Sequence, residues 1–214
     1  PHLFDIYQAA LESVKGESCT QEILKQHTLK GSVAVIAIGK AATSMMKGAA
    51  AALGKQLATG LIITKSGHCG DEQNFMDGDI NEGVFCIESG HPVPNESSLS
   101  VGKELLFFID KQPLSRNLVF LISGGTSSLV EVLPERLRLA DLQKVNEWLL
   151  GSGLDITAMN NVRAHMSCIK NGRLAKYLDG RRVLNLMISD VPGDKAHVIG
   201  SGLLSPNPEF EKSE

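Results

Sequence analysis

The sequence lacks an excess of basic residues and has few aromatic ones. Its 214 residues include 21 Lys and Arg against 24 Asp and Glu, for a formal net charge of −3, and only 5% are aromatic. Proteins that bind nucleic acid usually present a positive surface, and those that bind single strands add aromatic rings on which bases stack. Because both features are missing, we expect no nucleic-acid partner.

Long apolar runs and cysteine motifs are also missing. No apolar run reaches the ~18 residues that a membrane-spanning helix needs, and the start of the chain does not resemble a signal peptide. The four cysteines (Cys19, Cys69, Cys86 and Cys168) form no C-x-x-C pair and match no zinc-binding spacing. We therefore expect a cytoplasmic protein with no membrane partner and with reduced thiols.

Five short apolar runs predict buried β-strands. They cover residues 33–38, 60–64, 84–88, 118–122 and 183–188. Apolar residues are nearly continuous within each run, which is typical of parallel strands covered on both faces. Helical patterns lie at 4–14, 41–53, 97–110, 141–150 and 155–170. This alternation predicts an α/β fold of the Rossmann-like kind: a doubly wound, mainly parallel sheet with helices on both faces.

Two segments lack a regular pattern. Residues 65–82 are polar and rich in Gly and Asp, so they are interpreted as a loop, with a disordered flap as the alternative. Residues 205–214 have no periodicity, and we expect a linker or a disordered end there. Residues 1–204 are then a single domain.

Small and polar residues follow four of the five predicted strands. They occupy positions 39–42, 89–92, 123–128 and 189–194. In open α/β sheets, ligands bind at the carboxyl ends of the strands. The sequence therefore predicts that these four segments meet at one ligand-binding edge.

Two of these segments suit a bound phosphate. Positions 123–128 read SGGTSS, and glycines in such a turn let backbone amides approach an anion closely. Lys40 adds an ammonium group near a helix amino end, where the helix dipole is also positive. The alternatives are an ordinary tight turn and a solvated surface lysine.

Acidic and basic side chains provide further candidates. Asp190 and Asp194 are four residues apart across a Pro-Gly turn, so both carboxylates are expected to face one cavity and to bind Mg²⁺. The alternative is ordinary turn chemistry, which favours Asp. His91 and His165 are candidate catalytic bases, or else hydrogen-bonding residues at a rim.

The predicted helix at 155–170 carries a polar stripe. Its members are Asn160, Arg163, Ser167 and Lys170, spaced so that they share one helix face. The cations of such a stripe can hold an anionic substrate. A solvated helix face is the alternative.

Five motifs, in order along the chain, resemble those of the type II glycerate kinases, which are also called glycerate 2-kinases and are sometimes named hydroxypyruvate reductases. GKAA at 39–42 resembles G-K-A-A-x-x-M, and GHPVPN at 90–95 resembles (G/A)-H-P-x-P-D. LISGGTSSL at 121–129 resembles L-(I/L)-S-G-G-G-S-A-L. NVRAHMSCIKNGRLA at 161–175 resembles N-x-(V/I)-R-K-x-L-S-x-(I/L)-K-G-G-x-L-A. SDVPGD at 189–194, followed by IGSG at 199–202, resembles S-D-V-x-G-D-x-x-x-x-I-A-S-G-P-T.

The resemblance implies ATP-dependent, Mg²⁺-assisted phosphorylation of D-glycerate to 2-phosphoglycerate. It also implies a Rossmann-like N-terminal domain followed by a smaller C-terminal α/β domain, which we expect to be absent here, so that the chain alone is poorly active. A homodimer is left open. As a hypothesis for the mechanism, the candidate site residues are Lys40, Arg163 and Asp190 for catalysis; Ser123, Gly124, Gly125, Thr126 and Ser127 for ATP; His91, Asn161 and Lys170 for the substrate; and Asp190 and Asp194 for the metal.

The sequence departs from the family motifs at several positions. Asn95 replaces an Asp, Thr126 and Asn171 replace glycines, and Ala164 replaces a basic residue. Two other functions remain open: a non-catalytic nucleotide- or anion-binding module, and an NAD(P)H-dependent hydroxypyruvate reductase. The reductase would need a G-x-G-x-x-G turn after the first strand, whereas positions 39–44 read GKAATS.

Overall fold

An all-parallel sheet of five strands lies at the centre of the computed structural model, which describes residues 2–69 and 83–208. The strands are β1 (Val33–Ile38), β2 (Leu57–Lys65), β3 (Val84–Ser89), β4 (Asn117–Ile122) and β5 (Val183–Met187), in the order β3-β2-β1-β4-β5. All five occur where the apolar runs predict them, and only β2 begins well before its predicted start. The predicted α/β fold with a parallel sheet is confirmed.

Helices connect and cover the strands. They are α1 (His2–Ser13), α2 (Gly16–Gln26), α3 (Ala42–Leu53), α4 (Glu96–Lys111), α5 (Thr126–Leu129), α6 (Leu139–Gly151) and α7 (Ile156–His165). Three of them differ from the helical patterns of the sequence. Those patterns include neither α2 nor the four-residue α5, and α7 ends at His165 instead of continuing to residue 170.

The sheet is covered on both faces, as predicted. Successive residues of β1 point to opposite sides and belong to two separate cores. Val33, Val35 and Ala37 pack with residues of α2 and α3, such as Leu24 and Met46. Ala34, Ile36 and Ile38 pack with residues of α4, such as Leu105. A strand buried on both faces cannot alternate between apolar and polar residues, which explains the unbroken apolar run.

The strand order reverses at β1. The chain adds β2 and then β3 on one side of β1, and then crosses to place β4 and β5 on the other side. The connections after β1 and β4 therefore leave in opposite directions, and a crevice opens between the carboxyl ends of these two strands. Positions 39–42 and 123–128 directly follow these ends.

The prediction that all cysteines are reduced thiols is wrong for two of them. Cys69 and Cys86 form a disulfide whose Cα atoms are 5.7 Å apart, while Cys19 and Cys168 are free. Cys86 lies in β3, and the turn after the neighbouring strand β2 folds back toward β3. In that turn the backbone N–H groups of Gly67 and His68 donate to Glu88 Oε1 over 2.8 and 3.2 Å. Sequence spacing alone does not reveal this pairing.

Two predicted irregular segments lie partly outside the described residues. Positions 70–82 of the predicted loop at 65–82 and positions 209–214 of the predicted linker are not described. Residues 205–208 pack against the domain, where the Asn207 backbone N–H donates to Asn171 Oδ1 over 2.6 Å. Among the residues that are described, no helix is long and apolar enough to cross a membrane.

Candidate active site

The turns after β1 and β4 are in direct contact. Lys40 donates its backbone N–H to the Gly124 carbonyl oxygen over 2.9 Å, and Ala41 donates to Ser123 Oγ over 3.1 Å. Gly39 has φ 127°, and a Cβ atom there would lie 2.2 Å from Ser123 Oγ. Only glycine fits this conformation and this spacing. The two segments that the sequence predicts to meet at the sheet edge therefore do meet.

The turn after β4 has a buried inner side. Ser123 and Thr126 are buried, and the Thr126 hydroxyl lies 2.7 Å from the Ser123 carbonyl oxygen and 3.0 Å from that of Ile38. Their hydroxyls therefore stabilise the turn. The backbone N–H groups of Gly124 and Gly125, by contrast, donate to no partner in the described part of the chain. Two amide donors are left available on the outer side of the turn.

Lys40 and Asp190 flank this glycine turn. A Cβ atom on Gly125 would lie 3.3 Å from Lys40 Cγ, and one on Gly124 would lie 2.1 Å from Asp190 Oδ2. Both charged side chains are exposed. Within residues 2–69 and 83–208, no hydrogen bond or ion pair engages either the Lys40 ammonium or the Asp190 carboxylate. The glycines thus allow one cation and one anion to lie against the turn.

A cavity of about 390 Å³ opens beside the same turn. Its walls are formed by His91, Pro92, Val93 and Pro94 after β3, Gly125, Ser127 and Ser128 after β4, Leu142, Asn146 and Leu150 on α6, and Arg163 and Lys170. Much of the wall is apolar, while Arg163 and Lys170 are cationic. Such a cavity suits a small molecule with an anionic group.

Arg163 is held in place by its neighbours. Its Nε donates to Asn146 Oδ1 over 2.8 Å, which connects α7 to α6. Burial lowers the pKa of Arg163, but an arginine remains charged at any physiological pH. A guanidinium oriented in this way at a cavity wall can bind a carboxylate or a phosphate through paired N–H donors.

Lys170 reaches the cavity in a different way from that predicted. The chain leaves the helix at His165, so Ser167 and Lys170 are not part of a helical stripe with Asn160 and Arg163. Lys170 is instead buried, with its Nζ 2.6 Å from a carboxylate oxygen of Glu131. The prediction that these four residues share one helix face is therefore wrong, although Arg163 and Lys170 line the same cavity.

Two predicted site residues lie elsewhere. Asp194 lines a separate cavity with Thr20, Met45 and Ser189. Contrary to the expectation, Asp190 and Asp194 therefore do not face one cavity. Asn161 lines a small cleft, where its Oδ1 accepts a hydrogen bond from Asn207 Nδ2 over 3.3 Å. Neither residue contributes to the wall of the 390 Å³ cavity.

Comparison with known protein families identifies the family of this chain. The family model described as Domain of unknown function (DUF4147) matches residues 2–213. The chain belongs to this family.

Several relatives of this DUF4147 chain have names that indicate an activity. A D-glycerate 2-kinase from Thermotoga maritima is 36% identical over 203 residues, covering 95% of this chain and 46% of the relative. A glycerate 2-kinase from Pyrococcus horikoshii is 37% identical over 201 residues, covering 92% and 42%. The crystal structure of glycerate kinase from Thermotoga maritima superposes with a TM-score of 0.84 at 35% identity, covering 98% of this chain and 49% of that one. The chain spans about half the length of the relatives it matches.

The structure explains two departures of this DUF4147 chain from the motifs. Asn95 caps the amino end of α4, where its Oδ1 accepts the backbone N–H of Ser97 over 3.0 Å. Asn serves as well as Asp at this position, so the exchange preserves the cap. Thr126, in place of a glycine, uses its hydroxyl to join β1 to the turn after β4.

Sequence reasoning missed two residues of the site. Asn146 on α6 orients Arg163, and Glu131 pairs with Lys170. Asn146 is a polar residue on a partly exposed helix and gives no distinguishing signal. Glu131 is an acidic residue inside the apolar run LVEVL, a pattern that indicates a buried, paired charge.

His91 has an altered proton affinity. It follows β3, contributes to the cavity wall, and its peptide bond to Pro92 is cis. Burial is the main cause that lowers the pKa of His91, and the positive charges of Lys40 and Lys65 lower it further. Because the pKa is lowered, the imidazole is neutral at pH 7 and becomes protonated only at a more acidic pH than usual.

Replacing Lys40 with Met is expected to raise the pKa of His91. The rise should be partial, because burial, the larger cause of the lowered pKa, remains. The titration of the His91 imidazole by NMR between about pH 4 and 8 measures this shift. The matched control is Lys47→Met, at an exposed lysine of α3. An unchanged His91 midpoint in Lys40→Met would show that the Lys40 ammonium does not face the cavity.

Proposed function

We propose that this chain is the nucleotide- and substrate-binding part of an enzyme that transfers the γ-phosphoryl group of ATP to D-glycerate, giving 2-phosphoglycerate. One observation supports the proposal: cationic side chains and unpaired backbone N–H groups from separate parts of the described chain, which are suited to an anion, meet at the switch point of the sheet. The names of the relatives support glycerate as the acceptor. Because the chain spans about half of their length, the proposal concerns the complete polypeptide in which it occurs.

The ATP phosphates are expected on the turn after β4. The available N–H groups of Gly124 and Gly125 can donate to phosphate oxygens, and the missing side chains leave room for a close approach. Ser127 lines the cavity and adds a hydroxyl. Ser123 and Thr126, which the motif also assigns to ATP, are proposed to hold the turn in shape, because their hydroxyls bond to backbone groups.

Asp190 is the proposed protein ligand for Mg²⁺. Its exposed carboxylate lies against Gly124, and no side chain among the described residues forms a hydrogen bond or an ion pair with it. Mg²⁺ commonly takes one or two carboxylates and completes its shell with phosphate oxygens and waters. A single carboxylate beside a phosphate-binding turn fits this mode. Asp194 lies in another cavity and is left out of the proposed metal site.

The 390 Å³ cavity is the proposed glycerate site. Arg163 and Lys170 present cationic donors suited to the carboxylate of the substrate. His91, which also lines the cavity, has a neutral imidazole that can accept a hydrogen bond from the attacking hydroxyl and then its proton. Leu142, Leu150 and Val93 provide the apolar part of the wall beside these polar groups.

Phosphoryl transfer needs little covalent chemistry from a protein. Its transition state is loose, so the main requirements are alignment of acceptor and donor and neutralisation of charge on the transferring group. We propose that Lys40 supplies positive charge to that group from beside the glycine turn. The cavity residues hold the acceptor hydroxyl in line with it.

The expected location in the cytoplasm and the possible homodimer stay predictions.

The direct test is an assay of the complete polypeptide with ATP, Mg²⁺ and D-glycerate. The expected result is ADP together with 2-phosphoglycerate, which phosphorus NMR distinguishes from the 3-phosphate. Oxidation of NAD(P)H by hydroxypyruvate, without ADP formation, would favour a reductase instead. Binding of an ATP analogue with no turnover of D-glycerate or related hydroxy acids would favour a non-catalytic module.

Replacing Arg163 with Gln is expected to raise the KM for D-glycerate at least ~10-fold while kcat changes by less than ~3-fold. The reason is that the carboxylate takes no part in the bond changes at the 2-hydroxyl, so its interaction with the guanidinium is about the same before and during transfer. Steady-state kinetics on the complete polypeptide measure both constants. The matched control is Arg136→Gln, at an exposed arginine outside the cavity wall. An unchanged KM in Arg163→Gln would remove Arg163 from the substrate site.

A further inference from the structure

Glu131 is a fully buried acid directly behind the cavity wall. It follows α5, is 0% exposed, and all of its carboxylate contacts are short. Glu131 Oε1 accepts from Ser167 Oγ over 2.6 Å and from the Val132 backbone N–H over 3.0 Å. The other oxygen, Oε2, accepts from Lys170 Nζ over 2.6 Å. The carboxylate is thus fixed at both oxygens.

The backbone around Glu131 is equally constrained. Its N–H donates to the Ser98 carbonyl oxygen over 3.1 Å at the start of α4. Its own carbonyl oxygen lies so close to α4 that a Cβ atom on Gly102 would come within 2.0 Å of it. The acid is therefore held by the fold on the backbone side as well as on the side-chain side, and it cannot shift to follow a mobile partner.

Lys170 connects this acid to the cavity. It is only 2% exposed, and yet it belongs to the cavity wall. An ammonium group has three N–H donors. One donates to Glu131, and the other two have no partner among the residues that the structure describes. A buried lysine with two unused donors at a cavity wall is a prepared binding group for an oxygen anion.

Physical chemistry explains why the lysine needs an acid. A lysine buried without a partner tends to lose its proton, because burial disfavours the charged form. The adjacent carboxylate offsets that cost and orients the ammonium group. The pair as a whole is neutral, so it adds directional N–H donors to the cavity but little net charge. Arg163 supplies the net positive charge of that wall.

We propose that Glu131 is a positioning residue of the substrate site, which holds the Lys170 ammonium so that its two remaining N–H groups bind the carboxylate of the acceptor. This proposal rests on the proposed function for the identity of the anion. It goes beyond that function in assigning a role to a residue that does not contact the substrate. The role would be exerted entirely through Lys170.

The test is Glu131→Gln, which keeps the size of the side chain and removes its charge. Without the carboxylate, the buried amine should lose its proton at alkaline pH and bind a carboxylate poorly. We expect the KM for D-glycerate, relative to the unmodified protein, to rise at least ~10-fold at about pH 9 and much less at about pH 6. The matched control, Glu135→Gln, changes an exposed acid nearby.

Other charged groups near the cavity also respond to pH and must be separated from this effect. They are His91 on the wall after β3, Arg163 on α7, and Lys40 and Asp190 beside the glycine turn. All four are present in both proteins, so the ratio of KM values between variant and unmodified protein cancels their contributions. A purely structural role for Glu131 would give a ratio that is the same at both pH values.

One further variant keeps the result decisive if Glu131→Gln folds poorly, and a double variant tests whether Glu131 acts through Lys170. Glu131→Asp retains the charge but shortens the side chain, so its KM should rise equally at both pH values. In a Lys170→Met background, which removes the ammonium, adding Glu131→Gln should change KM by less than ~2-fold. A large added effect in that background would overturn the proposal, since Glu131 would then act without Lys170.

A binding measurement separates this proposal from the proposed function. Sulfate and D-glycerate keep the same charge between about pH 6 and 9, and their binding can be followed by calorimetry without any turnover. If the protein does not phosphorylate glycerate, the proposed function fails, but loss of sulfate binding in Glu131→Gln at alkaline pH alone would still support the role of Glu131. If the unmodified protein binds neither anion, Lys170 is not an anion ligand and the proposal is wrong.

Discussion

Replacing Lys40 with Met is expected to lower kcat for D-glycerate phosphorylation by the complete polypeptide at least ~100-fold. The side chain lies along the Gly124–Gly125 turn, and its positive charge is felt by His91 on the cavity wall. It is therefore placed between the proposed phosphate turn and the proposed substrate cavity. In a loose transition state, negative charge develops on the oxygen that leaves the γ-phosphoryl group, so a cation beside the phosphates stabilises the transition state more than the ground state.

The control for this experiment is Lys47→Met, which removes an exposed lysine from α3. Both variants should unfold at the same temperature as the unmodified protein, because neither lysine is buried. The lower turnover in Lys40→Met is then a catalytic effect. A kcat within ~3-fold of the unmodified value would place Lys40 outside the reacting centre.

Replacing Gly39 with Ala is expected to lower the free energy of unfolding by at least ~3 kcal/mol. The residue has φ 127°, which an alanine adopts only under strain. The added Cβ would also lie 2.2 Å from Ser123 Oγ and 2.6 Å from the Ser123 carbonyl oxygen. The turns after β1 and β4 would have to separate, which breaks the hydrogen bond from Ala41 to Ser123.

Urea unfolding followed by circular dichroism measures this difference. The control is Gly151→Ala at the end of α6, where an added Cβ would meet no atom within 4 Å. That variant should change the free energy of unfolding by less than ~1 kcal/mol. If Gly39→Ala were as mild as Gly151→Ala, the close contact between the two turns would not exist as described.

The strands were the most predictable part of the fold. Residues 33–38 and 118–122 are apolar without interruption because β1 and β4 lie in the middle of the sheet and are buried on both faces. A run of five or six such residues followed by glycine-containing turns is typical of a parallel strand. Ser123 and Gly124 at the end of one strand and Gly39 and Lys40 at the end of another then predicted the ligand-binding edge.

The elements that the sequence analysis missed or misjudged have weaker local signals. In α2 only Gly16, Thr20 and Leu24 are buried, so its inward stripe is largely not apolar. The apolar periodicity at 155–170 continues past the true end of α7. The helix nevertheless stops at His165, and beyond that end Arg173 donates to the carbonyl oxygens of Ala164 and Ser167, which a continuing helix would use for its own N–H groups.

The site was predicted in part. His91, Gly125, Ser127, Arg163 and Lys170 all line one cavity, and Lys40 and Asp190 flank the adjoining turn. Asn161 and Asp194 belong to the same motifs but point into other clefts. A motif specifies the order of residues along the chain, whereas the direction of each side chain depends on the backbone around it.

The sequence alone determined the α/β class, the positions of the strands and the sheet edge at which chemistry is expected, because burial on both faces and glycine-rich turns leave local traces. Only the tertiary structure decided which charges meet. Glu131 and Lys170 are 39 residues apart along the chain, and Cys69 and Cys86 are 17 apart. Such pairs form because the sheet brings distant segments together, and no local pattern identifies the partner of a residue such as Glu131 or Cys69.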